Sequence, residues 1–398
     1  MNSAFIFASS LFFLWIIRDS FFWLKLWQDS EYRLDRFIEH IQRKKQKFFH
    51  PTYSLIYIKL FLFLAFFYAI TNEDILSSYQ YIIAILYVVQ VFVVVKEIYQ
   101  NTLKKPVLTL KVTILLFLTL STVFLLFSLP LLDKFFWLLF VDLFLGFIVA
   151  FFVFLLSFPT ELYADIQIEK ALKKIRSYRN LIVIGVTGSY GKSITKEFIA
   201  YVLSEKFKVV KTHGYDNTAI GIAHTINQRL EADAEVFVVE MSAYKRGEIA
   251  GLCNFVRPKI RVLTAINNQH LTLFRTFENI KKTNYELLES LPKNGLAIIN
   301  GDNRHSFDLA QKTKKEKILY KYSPNTKRIV GAKDGEIIAF NLRHRSRYTS
   351  FDIQTRATVM HFTIHAHHQI ENLLPGIYIA HILGVKEKDI KKILASFK

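Results

Sequence analysis

The stretch GVTGSYGKS, residues 185–193, decides how the second half of this chain folds. A short apolar run, residues 181–186, leads into it and is typical of a buried β-strand. Residues 192–204 follow with the spacing of an amphipathic helix. The sequence therefore predicts a strand, a glycine-rich loop and a helix in direct succession. In such an arrangement the N-terminus of the helix can bind a ligand.

The composition of this loop indicates that it binds phosphate. Gly188 and Gly191 allow a tight turn that directs backbone amides at phosphate oxygens, and the helix adds its positive N-terminal end. Lys192 can reach the outer phosphates of a nucleotide, and the Ser193 hydroxyl can hold magnesium. The general P-loop spacing needs a glycine at position 186, where this chain has Val186. The loop thus predicts phosphate binding with one departure from the general pattern.

The pattern after residue 180 alternates between short apolar runs and segments of helical spacing. Such alternation predicts an α/β domain of the P-loop type, with a mainly parallel sheet covered by helices. The predicted strands are residues 181–186, 207–211, 236–241, 260–266, 297–300 and 318–322, and the predicted helices are residues 192–204, 220–230, 277–291, 368–383 and 388–397. Residues 328–364 are typical of short antiparallel strands and predict a small antiparallel sheet. Glu240 falls at the carboxyl end of a predicted strand, where open α/β sheets bind their ligands.

The first 160 residues contain nearly all of the long apolar runs and predict an α-helical membrane domain. Hydrophobic residues make up 52% of the chain, and a spanning helix needs about 20 mostly apolar residues in succession. Five stretches are long enough: residues 4–23, 53–70, 75–95, 108–129 and 135–158. Arg18 and Asp19 interrupt the first stretch, and they either pair or lie beyond the end of the span. Asp142 lies in the fifth, either as a functional carboxylate or as a contact to the interface or a neighbouring helix.

The formal net charge of +19 comes largely from basic residues that flank the apolar stretches. We therefore expect a lipid bilayer as a partner and no nucleic acid, since no recognition motif accompanies the charge. Loops rich in Lys and Arg belong on the cytoplasmic side, which places the N-terminus outside and the second half in the cytoplasm of a multi-pass inner-membrane protein. The predicted division is a membrane domain (1–160), a basic juxtamembrane linker (161–179) and an α/β domain (180–398). The single cysteine, Cys253, excludes an intramolecular disulfide.

A series of segments in the second half resembles, in the same order, the central ATP-binding domain of the Mur ligases, which extend the peptide of peptidoglycan precursors. The loop with Thr187-Gly188 and Gly191-Lys192-Ser193 is similar to their ATP loop. The other segments are HGYDNTAIG (213–221), VVEMSAYKRGEI (238–249), LTAINNQHL (263–271), ENIKKTNYELLESLPKNGLAIINGDN (278–303) and HHQIEN (367–372). The resemblance covers residues 180–398 and is strongest to the members that add D-alanyl-D-alanine.

The resemblance implies that ATP and magnesium are the cofactors, and it assigns them ligands. The ATP phosphates would be held by Thr187, Gly188, Ser189, Tyr190, Gly191, Lys192 and Ser193. Ser193 and Glu240 would hold the magnesium ion that bridges the β- and γ-phosphates, and His270 would bind a second magnesium ion near the acyl group. Catalysis would depend on Lys192, Glu240 and His270.

Three asparagines complete the site that the resemblance implies. Asn372 would contact adenine, Asn267 would line the nucleotide site, and Asn217 would line the substrate side. The implied reaction is acyl activation, in which a substrate carboxylate attacks the γ-phosphate and an amine then displaces phosphate from the acyl phosphate.

The chain departs from the family pattern in three places. Family members usually carry a carbamylated lysine two residues before the glutamate that is Glu286 here, and the matching residue is Asn284. Lys282 lies two residues earlier, which on a helix points it elsewhere. Membrane spans stand in place of the UDP-binding N-terminal domain. The family's C-terminal ligase domain is predicted to be absent, because the sequence stops at Lys398 where that domain would begin.

The sequence favours an ATP-dependent amide-bond ligase for a cell-wall precursor of the UDP-muramoyl-tripeptide and D-Ala-D-Ala type, at the cytoplasmic face of the membrane. The precursor is either nucleotide-linked or lipid-linked. Two alternatives remain open at this stage: a Mur-like ligase for another poly-amino-acid or lipid-linked substrate, and a non-catalytic ATP-binding membrane scaffold.

Overall fold

The computed structural model describes residues 3–43, 51–129, 133–214, 216–268, 271–274, 276–324, 326, 335–345, 348–355, 358–365 and 369–396. The chain divides into two compact units, Met1–Glu161 and Leu162–Lys398. The first unit is helical, and the second is built on a β-sheet.

The first unit consists of helices with long apolar faces. They are α1 (Ser3–Asp29), α2 (Leu34–Arg43), α3 (Pro51–Ala69), α4 (Glu73–Tyr99), α5 (Leu110–Ser128) and the first part of α6 (Lys134–Arg176). Among the described residues, four helices are long and apolar enough to cross a membrane, namely Phe5–Asp29, Glu73–Tyr99, Leu110–Ser128 and Lys134–Arg176. The predicted span 53–70 falls on α3, where the apolar helix Leu55–Ala69 is shorter than the other four. Five stretches were predicted, and four of them coincide with helices of spanning length.

Helix α1 continues through Arg18 and Asp19 without interruption. The Arg18 guanidinium donates to both carboxylate oxygens of Glu97 on α4, at 2.5 and 2.9 Å, and pairs with Asp19 at 3.1 Å. The helix passes these charges because a neighbouring helix supplies the opposite charge, which lowers the cost of burying them.

Asp142 on α6 is a polar junction between four helices of the first unit. Its side chain is fully buried and lies 2.7 Å from the Lys59 ammonium of α3. Trp15 Nε1 of α1 donates to it at 2.9 Å, and Gln90 Nε2 of α4 donates at 3.3 Å. Of the readings that the sequence left open for Asp142, the structure shows contact with neighbouring helices.

The second unit contains one mixed sheet of nine strands in the order β2-β3-β1-β4-β5-β6-β7-β8-β9. The strands are β1 (Ile182–Thr187), β2 (Val209–Lys211), β3 (Val236–Glu240), β4 (Ile260–Leu263), β5 (Leu296–Asn300), β6 (Lys317–Ser323), β7 (Glu336–Arg345), β8 (Tyr348–Gln354) and β9 (Val359–His365). All pairs from β2 to β7 are parallel, and the last two pairs are antiparallel. The antiparallel strands predicted over residues 328–364 are present as β7, β8 and β9, which pair antiparallel in that order. They do not form a small sheet of their own, because β7 also pairs in parallel with β6 and joins them to the main sheet.

Helices cover both faces of this sheet, and the strands are apolar on both sides for that reason. Ile184 and Val186 of β1 face a core completed by α7 (Lys192–Leu203), α13 (Leu374–Ile382) and α14 (Glu387–Ser396). Val183 faces the opposite core. Helices on that side are α8 (Ala219–Arg229), α9 (Glu248–Val256), α11 (Phe277–Glu289) and α12 (Arg304–Lys312), with the short α10 (Leu271–Phe274) preceding α11.

The end of α6 belongs to the second unit. The sequence analysis treated residues 161–179 as a linker, and the helix runs through them as far as Arg176. Ala171 and Ile175 are buried in the same core as α8, and Lys174 Nζ donates to the carbonyl of Asn227 at 3.1 Å. These contacts fix the last turns of α6 to the sheet domain.

Candidate functional site

The glycine-rich loop occupies the carboxyl end of β1, between Thr187 and Lys192. Gly188 and Gly191 both have positive φ angles, +139° and +82°. A Cβ at Gly191 would lie 2.2 Å from Oδ1 of Asn372, and one at Gly188 would lie 2.0 Å from the hydroxyl oxygen of Thr264. Both positions therefore need glycine, for backbone conformation and for space.

Hydrogen bonds to the end of β4 hold the loop in place. Ser189 N donates to the carbonyl of Ala265 at 2.7 Å, and Asn267 N donates to the Ser189 hydroxyl at 3.1 Å. Lys192 Nζ donates to the carbonyl of Ser189 at 3.1 Å, so its ammonium lies beneath the loop. Burial lowers the pKa of Lys192, and the nearby Glu240 carboxylate opposes that shift.

Glu240 ends β3, the strand next to β1, and is only 3% exposed. Asn217 donates to its Oε1 at 3.2 Å. No described residue donates a hydrogen bond to Oε2, and the Lys196 ammonium is 3.4 Å from that oxygen. A buried carboxylate oxygen without a donor is rare in folded proteins, and it marks a place where a cation fits.

Lys196 is a residue of this site that the sequence analysis missed. It is 1% exposed and lies one helical turn beyond Lys192 on α7. The spacing of four residues between the two lysines could have indicated that both approach the same region.

The structure brings together predicted site residues that are far apart in the sequence. Asn267 contacts the loop through Ser189, and Asn217 contacts Glu240. Asn372 lies against Gly191, and its Nδ2 donates to Oε1 of Gln369 at 2.9 Å. All three asparagines surround the carboxyl ends of β1, β3 and β4, where parallel sheets bind ligands.

Residues 186–380 match the family model described as "Mur ligase middle domain". The second unit contains a Mur ligase middle domain. This segment includes the loop, Glu240 and all three asparagines.

Curated relatives and solved structures agree with this assignment. The chain is 29% identical over 218 residues to UDP-N-acetylmuramoyl-tripeptide--D-alanyl-D-alanine ligase of Escherichia coli, covering 54% of this chain and 46% of that protein. It is 38% identical over 130 residues to the ligase of the same name from Synechocystis, covering 33% of this chain and 28% of that protein. The chain spans about half the length of the curated relatives it matches. Among solved structures, MurF ligase from Thermotoga maritima in complex with ADP superposes with a TM-score of 0.51 at 25% identity, covering 59% of this chain and 52% of that one.

Two predicted magnesium ligands remain, Ser193 and His270. His270 lies outside the described residues, so its role at a second magnesium ion stays a prediction. Ser193 is exposed on the first turn of α7, where its hydroxyl is open to a ligand.

Helix α11 places Asn284 beside the loop. Asn284 is 7% exposed, and its Nδ2 donates to the carbonyl of Ile280 one turn earlier at 2.8 Å. It lines the same depression as Gly188 and Lys192. The position that the resemblance gives to a carbamylated lysine is thus a buried, uncharged amide.

The Glu286 carboxylate caps the start of α9. It accepts hydrogen bonds from Gly247 N at 2.7 Å and Ala250 N at 3.1 Å. Four backbone amides at a helix start lack partners within the helix, and a carboxylate there also faces the positive end of the helix dipole.

We expect Glu286→Ala to lower the local stability of α9 by about 2–3 kcal/mol, because two backbone amides at the helix start would lose a charged acceptor. Hydrogen exchange read by mass spectrometry would show α9 amides exchanging about 30- to 100-fold faster. Glu289→Ala, on the same helix but exposed, should leave that exchange rate unchanged. Unaltered exchange in the Glu286 variant would contradict the capping role.

A cavity of about 900 Å³, larger than the depression beside the loop, lies at the end of the sheet opposite the loop. Tyr178, Arg179, Phe207 and Glu235 line it, and these residues lie before or at the starts of β1, β2 and β3. Parallel sheets bind ligands at the carboxyl ends of their strands, so we place the functional site at the loop.

Proposed function

We propose that this chain is a membrane-attached, ATP-dependent amide-bond ligase that acts through an acyl phosphate on a cell-wall precursor. The substrates would be of the UDP-muramoyl-tripeptide and D-Ala-D-Ala type, as the names of the curated relatives state for those proteins. The observation that carries the proposal is the placement of a phosphate-type loop beside Glu240, whose buried Oε2 has no donor among the described residues.

The loop is suited to the phosphates of ATP. Its two glycines free the backbone to approach an anion, and the N-terminal end of α7 adds a positive field. Lys192 is already held under the loop by the Ser189 carbonyl, and it would exchange that contact for a phosphate oxygen. The MurF ligase of Thermotoga maritima was solved with ADP, which supports a nucleotide at this loop.

The donor set fits magnesium. Magnesium takes hard oxygen ligands and binds through few protein groups together with phosphate oxygens. The Ser193 hydroxyl and Glu240 Oε2 are oxygens at neighbouring strand and helix ends. When bound, the ion would neutralise the charge of the phosphates. We also propose His270 as a ligand of a second magnesium ion.

The proposed reaction uses this arrangement. A carboxylate oxygen of the precursor attacks the γ-phosphorus of ATP, the bond to the β-phosphate oxygen breaks, and ADP leaves. The amine nitrogen of the second substrate then attacks the acyl carbon, loses a proton and expels inorganic phosphate. Lys192 holds the phosphoryl charge in position, and the buried surroundings strengthen that interaction.

The first unit would anchor the ligase in the cytoplasmic membrane. Large apolar side chains point outwards from its helices, including Phe61, Phe92, Phe117 and Phe147, each at least 69% exposed. Such a surface suits lipid rather than water. Under the positive-inside rule, this proposal has the N-terminus outside and the second unit in the cytoplasm, where ATP is available. A membrane domain (1–160), a juxtamembrane segment (161–179) and a ligase domain (180–398) remain our proposed division.

Asn284 favours one alternative, a scaffold that binds ATP at the membrane without turnover. An amide in place of a charged group would weaken a second metal site beside Lys192. In that case the chain would bind nucleotide and release no phosphate.

The test is a ligase assay on the whole chain purified in detergent. ATP, magnesium, UDP-muramoyl-tripeptide and D-Ala-D-Ala should yield one ADP, one phosphate and one amide product, measured by phosphate release and mass spectrometry. Nucleotide binding with no phosphate release would identify the scaffold. Absence of both binding and turnover would refute the proposal.

A further inference from the structure

We infer that Lys196 is a positioning residue that serves as the counter-ion of Glu240 in the absence of metal, and thereby makes nucleotide binding less dependent on magnesium. The inference rests on the proposed function, since it concerns the same loop. It assigns a role to a buried lysine that neither the loop pattern nor the ligand set includes.

Lys196 is buried with its charge between two carboxylates. Its Nζ lies 3.4 Å from Glu240 Oε2 and 3.2 Å from Glu197 Oε1, and the residue is 1% exposed. Lysines are almost never this buried unless they are paired, because an isolated ammonium in the interior is costly. The fold has therefore placed a buried ammonium beside Glu240, on the helix that follows the glycine-rich loop.

The contact with Glu240 is an ion pair without a hydrogen bond. Oε2 accepts no hydrogen bond from the described residues, although the ammonium is within 3.4 Å. A pair of this kind supplies charge but leaves the oxygen's lone pairs open. Glu240 can thus accept a metal ion without first breaking a hydrogen bond to Lys196.

Lys196 also has a second partner that stays when the metal arrives. Glu197 lies at the edge of the site, 41% exposed by its side chain, and pairs with both Lys196 and Lys211. A magnesium ion at Glu240 would repel the Lys196 ammonium, which then keeps Glu197. Lys196 therefore keeps a carboxylate partner both with and without the metal ion, and its buried charge is never unpaired.

Lys196 affects nucleotide binding most when no metal ion is present. The phosphates and the Glu240 carboxylate repel each other when magnesium is absent, and Lys196 offsets that repulsion. When magnesium is bound, the ion performs the same neutralisation and Lys196 matters less. Removal of the lysine should therefore weaken metal-free binding more than metal-loaded binding.

The test compares ADP affinity in EDTA and in saturating magnesium, with a fluorescent ADP analogue and the whole chain in detergent. Lys196→Met should lower the metal-free affinity about tenfold, and the affinity in magnesium by no more than about threefold. Lys196→Arg should restore most of the metal-free affinity, because it keeps the charge. Lys211→Met is the matched control: it removes a lysine that also pairs with Glu197, and it should leave both affinities unchanged.

A double variant shows whether an effect of Lys196→Met comes from lost charge or from misfolding. Lys196→Met combined with Glu240→Gln removes both charges of the pair, so it should fold even if the single variant does not. In the Glu240→Gln background, Lys196→Met should no longer lower metal-free affinity. A further loss there, or an equal loss with and without magnesium in the single variant, would overturn the inference. A wild type that binds no nucleotide in either condition would overturn the proposed function itself.

Discussion

Lys192→Ala should weaken ATP binding by about 30- to 100-fold, because it removes a charged hydrogen bond that contributes about 2–3 kcal/mol. The wild-type ammonium lies under the loop, 3.1 Å from the carbonyl of Ser189, and is already oriented before nucleotide arrives. Alanine removes the charge and leaves the loop glycines and the helix end as the remaining phosphate contacts. Titration with a fluorescent, non-hydrolysable ATP analogue measures the change.

Lys208→Ala is the matched control for this experiment. Lys208 is about half exposed, lies just before β2 and pairs with Glu231 and Asp233. Surface pairs of this kind contribute little, so its removal should leave affinity unchanged. If Lys192→Ala bound nucleotide as tightly as the wild type, the loop would not hold phosphate in the way we describe.

Asp142→Leu should destabilise the first unit by about 3–5 kcal/mol, because it leaves the Lys59 ammonium without its close partner in an apolar helix bundle. Trp15 and Gln90 would also lose their acceptor. All four tryptophans of the chain lie in the first unit, so tryptophan fluorescence reports its unfolding selectively. Titration of the purified chain with a denaturing detergent would show the transition at lower concentration.

Removal of both charges provides the control. Lys59→Leu combined with Asp142→Leu leaves no unpaired ion and should recover most of the lost stability. If Asp142→Leu alone were as stable as the wild type, the pair would not hold α3 against α6. If the double variant were as unstable as the single one, packing rather than charge would explain the loss.

Local patterns in the sequence determined the elements that surround the loop. The predicted strand 181–186 and helix 192–204 match β1 and α7 to within one residue at each end. Glycines, apolar runs and helical spacing act over a few residues, so they can be recognised without knowledge of the fold. Glu240 was placed at a strand end for the same reason, and it is the last residue of β3.

The antiparallel strands show that local patterns do not predict which strands pair. Residues 328–364 were predicted to form antiparallel strands in a small sheet. Strands β7, β8 and β9 do pair antiparallel, but β7 also pairs in parallel with β6 and joins the main sheet. Strand periodicity indicates that a segment is extended but does not name its neighbour, because pairing depends on residues that are distant in the chain.

By itself, the sequence determined the glycine-rich loop, the alternation of strands and helices, and the apolar stretches of the first unit. Only the tertiary structure decided which distant residues meet. It buries Lys196 against Glu240, sets Asn372 against Gly191, and joins Asp142 to Lys59. The physical reason is that a local pattern fixes backbone conformation, whereas the partner of a buried charge is fixed by packing between elements far apart in the sequence.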